Sequence, residues 1–141
     1  AKWGCGIAAR LSYAYTHEKA DDGQTLISNT RPHSATLRVE YNKFVSDNYS
    51  FNIALHGRYL SQVTANEYVF TSIDQAVKRS YPEYTMWRLA LNNKIFNGIN
   101  LSLTIDNLLD YVPDYYYNNS PTTVGRTFSV GLSIDLERLL K

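Results

Sequence analysis

His17, His33 and His56 are the side chains of this sequence that could ligate a metal or a haem, and His56 with Ser50 or Ser102 could form a hydrolytic pair. The first two flank one connecting segment. No Cys/His spacing supports a metal site, and a histidine at the polar end of a strand is more often hydrogen-bonded than ligating. Neither serine has an acid partner or an oxyanion donor beside it by spacing, so no catalytic residue is assigned. Asp21 and Asp22 before Gly23 suggest a cation loop, but this triplet is first of all a turn signature. No metal or cofactor is expected. Tyr111 and the run Tyr115, Tyr116 and Tyr117 are the better candidates for ligand contact. A tyrosine offers stacking area and a hydroxyl at little conformational cost, which suits small ring-bearing cargo. Their competing role is loop packing within an aromatic belt.

The elements that position these residues are strands. From Trp3 to Tyr15 every odd position is apolar or aromatic and no even position is large and apolar. Strict alternation of this kind describes a strand with one greasy face. It recurs at 34–42, 49–60, 84–95, 99–106 and 126–137, with Leu60, Tyr84 and Met86 breaking the pattern on the polar side. The resulting expectation is all-β, a six-stranded antiparallel meander. Residues 61–82 read as a long loop, with "SIDQAVKR" at 72–79 as a short helical turn within it. Two connections are tight, "VSDN" and "FNG", and alternate with three long ones at 17–33, 61–82 and 110–125. In a meander the long ones share one end. Connections in compact domains are usually about 4–6 residues, so three long loops on one side suggest a membrane barrel with short turns on the other.

Composition leaves that reading open. Lys and Arg number 14 against 13 Asp and Glu, a net charge of +1 without a basic block, so nucleic acid is not an expected partner. The lone Cys5, among small and apolar neighbours, suggests a buried or lipid-facing thiol. No long apolar run marks a membrane helix, which barrel strands do not need. The chain begins inside a strand pattern without a leader, as expected of a fragment or a processed chain. A soluble β-sandwich would also alternate. Against it stand the strand lengths and the tyrosines and tryptophans gathered at strand ends: Trp3, Tyr41 and Tyr49 at one, Tyr13, Tyr15, Tyr59, Tyr84 and Trp87 at the other. The polar face also carries Arg10, Arg38, Glu40, Arg58 and Arg88 at mid-strand, expected to face a lumen or a plug and to satisfy one another there. Six strands cannot enclose such side chains, so further strands are expected.

"LSLTIDNLLDY" followed by "GRTFSVGLSIDL" resembles the end of TonB-dependent outer-membrane receptors, through Asn107, Leu108, Asp110, Tyr111, Gly125 and Arg126 in order and spacing. "RPHSATLRVEY" and "PEYTMWRLALN" are similar to that family's strand starts. "SVGLSIDL" is similar to its assembly signal through Ser129, Gly131, Ile134 and Leu136, but the final aromatic is absent and "ERLLK" stands there. The resemblance implies that residues 1–141 are the last six strands of a 22-stranded transmembrane barrel, with long extracellular loops and short periplasmic turns. It implies a structural role for Asn107, Leu108, Asp110, Gly125 and Arg126. It further implies uptake of a siderophore, haem, cobalamin or oligosaccharide across the bacterial outer membrane, without chemistry of its own. The implied partners are outer-membrane lipid, a plug domain, the remaining strands, small-molecule cargo, and TonB through an N-terminal box not among these residues. The alternatives are a small outer-membrane enzyme such as a lipid A hydrolase, and a soluble β-sandwich or barrel binding module.

Overall fold

The computed structural model describes residues 5–17, 30–68, 76–96, 98–115 and 123–136. Its elements are β1 (Ile7–Tyr15), β2 (His33–Ser46), β3 (Tyr49–Leu60), β4 (Val63–Tyr68), β5 (Ala76–Tyr81), β6 (Tyr84–Ile95), β7 (Ile99–Asp106) and β8 (Thr127–Ile134). Six of them form one antiparallel sheet in the order β1-β2-β3-β6-β7-β8. It is the expected meander. The short β2–β3 and β6–β7 connections lie at one end of the sheet, and the strand ends that lead into the three long connections lie at the other.

The register carries the alternation across the whole sheet. Ala9, Val39, Leu55, Leu89, Ile105 and Phe128 stand opposite one another in one row, and Ile7, Tyr41, Ile53, Leu91, Leu103 and Val130 in another. A slip of one residue at any pair would turn a whole strand over. On the other face the rows are polar: Asn42, Asn52, Asn92 and Ser102 form one, in which Asn92 donates to Asn52 at 3.2 Å and Asn52 to Asn42 at 2.8 Å.

No second sheet covers the apolar face among the described residues. Leu11 and Val130 are each 73% exposed, on the two edge strands. In water so continuous a greasy surface would associate or aggregate, whereas hydrocarbon covers it without cost. At the short-turn end Tyr41 meets Phe51 edge-on at 5.8 Å and Tyr49 lies 6.1 Å from the same ring. At the other end Tyr13, Tyr15 and His33 cluster on that face. Trp3 lies outside the described residues. Tyr84 does not join this belt, because it is on the polar face and only 7% exposed.

Residues 61–82 differ from expectation. They hold the β4–β5 hairpin, with Val63 opposite Tyr81, and residues 76–79 of the expected helical turn are strand instead. The reason is burial: Val63, Ala65 and Tyr81 form a small core that only an extended pair brings together. Tyr115 packs against it. β2 also runs to Ser46 rather than stopping at 42, with a register shift between Phe44 and Ser46 that bends it into the turn.

Gly57 has a definite packing reason. A Cβ there would fall 2.5 Å from the Trp87 ring, so the indole lies flat across the glycine of the neighbouring strand. Gly57→Val should therefore expel Trp87, lower stability by about 1–3 kcal/mol and shift tryptophan fluorescence. Thermal unfolding in detergent checks this; unchanged stability and emission would refute the packing.

Candidate functional site

Arg31 organises the long-loop end. It is only 6% exposed. Its Nη1 donates to the carbonyls of Ser61 and Pro82, each at 2.6 Å, and its Nη2 to the Tyr115 hydroxyl at 3.4 Å. The guanidinium also lies 4.8 Å from the centre of the Tyr84 ring. Desolvating an arginine costs several kcal/mol, while a charge-assisted hydrogen bond returns about 1.5–3 and a cation–π contact about 0.5–2. The two sides nearly offset, so this node contributes geometry more than stability. It fixes the foot of the first long loop to the β3–β4 and β5–β6 junctions.

The tyrosines complete the cluster. Tyr84 stacks on Tyr111 at 5.3 Å with ring planes 6° apart, Tyr81 lies 5.2 Å from Tyr115, and the Tyr111 and Tyr115 hydroxyls are 3.2 Å apart. Tyr111 and Tyr115 are therefore half-buried packing partners with limited outer surface. Tyr116 and Tyr117 lie outside the described residues. Burial and the hydrogen bond to Tyr115 push the Tyr111 phenol above its usual value of 10.0. Sequence reasoning passed over Arg31, Ser61 and Tyr81. The available signal was "YPEY" at 81–84, which places Tyr84 on a polar face that tyrosine has no reason to line unless something covers it.

A second constellation joins the feet of the last loop. Asn107 takes up φ +51°, a left-handed conformation that asparagine tolerates better than most residues. Its side chain accepts from the Tyr111 N–H at 2.9 Å and donates to the Tyr111 carbonyl at 2.8 Å and to Thr123 Oγ1 at 3.2 Å. Leu108 is anchored to β6 by its N–H, which donates to the Trp87 carbonyl. Asp110, also left-handed, accepts the Arg126 N–H at 2.7 Å. Gly125 at φ +96° sits where a Cβ would approach Asp110 Oδ1 to 3.0 Å. The Arg126 backbone, and not its guanidinium, makes this contact.

The polar face holds Arg10, Arg38, His56 and Arg88 directly opposite one another across four strands, with Arg58 one pleat above. Arg38 pairs with Glu40 on its own strand, and Arg88 Nε lies 3.2 Å from Asp106 Oδ1. His56 and Ser50 are six residues apart on β3, roughly 20 Å along the strand, and Ser102 aligns four residues below His56, so neither serine can reach it. His33 Nδ1 is 2.7 Å from the Tyr13 hydroxyl, and His17 lies 6.4 Å from Tyr15. No group of three metal-ligating side chains occurs among the described residues. Cys5 is exposed, and Asp21 to Gly23 fall outside the described residues.

The family described as TonB dependent receptor-like, beta-barrel matches residues 1–108. No curated protein and no solved structure matches the chain. The matched span includes Asn107 and ends at Leu108, before the latch partners Asp110, Gly125 and Arg126.

Asn107→Ala should cost about 2–4 kcal/mol, through three lost hydrogen bonds and a left-handed alanine. Asp110→Ala should weaken the same latch while Arg126→Ala leaves it intact; protease nicking between 111 and 123 reports it, and equal protection in all three would overturn the assignment. The raised Tyr111 value sets a sign for pH. Above about pH 10 the unfolded phenol loses its proton before the folded one, so stability is present below that point and falls as pH rises past it. An alkaline titration followed by tyrosinate absorbance should show a late-ionising phenol that Tyr111→Phe removes.

Proposed function

The chain belongs to the TonB-dependent receptor β-barrel family, and from that premise we propose that residues 1–141 are the last six strands of an outer-membrane receptor for energised uptake of a scarce nutrient. Members of this family are receptors and transporters of the outer membrane rather than enzymes. A siderophore, haem, cobalamin or oligosaccharide is the proposed range of cargo. One observation carries the reading: a register-aligned apolar face that no second layer covers among the described residues, backed by a polar face bearing four arginines, with the strand ends that lead into the three long connections all on one side.

In this arrangement lipid covers the apolar face, the remaining strands continue the sheet from its edges at β1 and β8, and a plug domain stands on the polar side. TonB would act through the plug, outside these residues. Arg31 and the latch at Asn107 and Asp110 hold the loop feet still, which gives the mouth a fixed rim. Tyr111 and Tyr115 form part of that rim, and their outer edges are the surfaces left for cargo.

Cell fractionation and uptake test the reading together. The protein should sediment with outer membranes, resist alkaline extraction and dissolve only in detergent. Cells lacking it should lose accumulation of one nutrient, and collapsing the proton gradient should stop accumulation while leaving surface binding. A protein that stays soluble without detergent would end the proposal.

A further inference from the structure

We propose that the apolar face carries, at its short-turn end, a headgroup site for an anionic phospholipid, centred on Lys43 with Asn93 and Tyr49 beside it. The proposal rests on the receptor reading for the membrane and on the sheet for the site. Among the described residues of the six strands, Lys43 is the one charged side chain on the apolar face, where it shares a row with Phe51, Asn93, Leu101 and Leu132. A lysine on a lipid-facing row is costly at mid-membrane and nearly free of cost at the boundary, so its depth is decisive. Lys43 and His33 are ten residues apart on β2, with Ala35, Leu37, Val39 and Tyr41 between them on this face. At about 3.3 Å per residue and a tilt of roughly 35–45°, that span is about 25 Å along the membrane normal, the height of a barrel's apolar band. Lys43 therefore lies level with the headgroups nearest the short turns, and His33 level with those on the opposite side.

Completing the barrel leaves this site uncovered. β2, β3 and β6 each have both neighbours within the sheet, so strands added at β1 or β8 extend it sideways, and a plug stands behind the other face. Phe51 separates Lys43 from Asn93 in the row, which puts the two backbones two strand spacings apart, about 10 Å. The Tyr49 hydroxyl donates to Asn93 Oδ1 at 3.3 Å, which occupies the amide oxygen and leaves its NH2 group to donate. Tyr41 and Tyr49 flank the Phe51 ring at 5.8 and 6.1 Å. The rings thus offer an apolar bed for the upper acyl chains, with a cation on one side and an amide donor on the other for the phosphate. Lys43 has no carboxylate in ion-pair contact among the described residues. Its counter-charge must come from the membrane, and a phosphodiester without a compensating amine supplies it in full, which selects an anionic lipid over a zwitterionic one. At the long-loop end Tyr59, on the same face, donates instead to a carboxylate, Glu83, at 2.6 Å. Among the described residues only the short-turn end of this face presents a lysine or arginine to lipid.

The test is native mass spectrometry of the full protein, extracted from outer membranes in non-ionic detergent and supplied with equal amounts of phosphatidylglycerol and phosphatidylcholine of identical acyl chains. Phosphatidylglycerol should be retained about fivefold over phosphatidylcholine. Lys43→Gln should abolish that preference, Lys43→Arg should keep it, and Asn93→Leu should lower it about threefold. Lys94→Gln is the control, since Lys94 adjoins Asn93 in sequence but stands on the polar face, and its loss should change nothing. Inorganic phosphate, compared with chloride at equal ionic strength, should not displace the lipid. Equal retention of the two lipids, a preference that survives Lys43→Gln, an equal loss in Lys94→Gln, or displacement by phosphate overturns the proposal. Each of these failures leaves the receptor reading standing if the protein is still found in the outer membrane; a protein absent from that membrane defeats the receptor reading and this proposal with it.

Discussion

A chain placed in hydrocarbon must satisfy every backbone N–H and C=O from within the protein, since an unpaired group costs several kcal/mol there. For a sheet this makes pairing and facing a single problem. Each strand must hydrogen-bond to a neighbour on both sides, and the register that achieves this must also keep every apolar side chain outward. The rows running from β1 to β8 meet both demands at once. β1 and β8 are edges of this sheet, and in hydrocarbon their outer backbone groups would need further strands to pair with.

The long-loop end obeys a different rule. Water is available there, so loops need not pair their backbones, and their positions must be set by side chains. Arg31 and the tyrosines do this for the first and middle connections, and Asn107 with Asp110 does it for the last. The solutions differ in character. The arginine node is a desolvated charge held by carbonyls and aromatic faces, costly to form and intolerant of rearrangement. The asparagine latch is a set of neutral bonds to backbone, closed by one carboxylate. Tyr111 belongs to both, its backbone N–H donating to and its carbonyl accepting from the Asn107 side chain while its ring stacks on Tyr84.

The strands of the sheet were legible because alternation is a local signal that one face of a sheet enforces over many residues. The exceptions to it held further information. Leu60 and Tyr84, which break the pattern on the polar side, stand opposite each other in the register and are both buried beneath the loops. An apolar pair on a polar face marks the place where loops fold back over the sheet. The β4–β5 hairpin was not legible, since Val63-Thr64-Ala65 is too short a stretch for periodicity and its core is completed by Tyr115 from a distant loop. Arg31 was missed for a related reason: arginine before a proline reads as a solvated strand start, and only the third dimension shows the carbonyls of Ser61 and Pro82 converging on it. The tyrosines were visible as a cluster, but whether a ring meets cargo or another ring depends on contacts 27 to 84 positions away in sequence. The hydrolytic pairing of His56 with Ser50 or Ser102 fails on spacing, since the strand register places His56 far from both serines.

The latch has a consequence for how such loops can vary. Asp110 holds a backbone N–H, so the side chain at 126 is free to change while the bond persists. Asn107 likewise reaches the backbone of Tyr111, and among side chains it needs only the hydroxyl at Thr123. Contacts to backbone constrain position without constraining sequence. A loop pinned at both feet in this way can exchange nearly all of its intervening residues without disturbing β7 or β8, because strain from a new insertion stops at Asn107 on one side and at Gly125 on the other. The side chains lining the mouth can then follow the cargo while the strands follow the membrane, and the two sets of requirements meet at only a few residues.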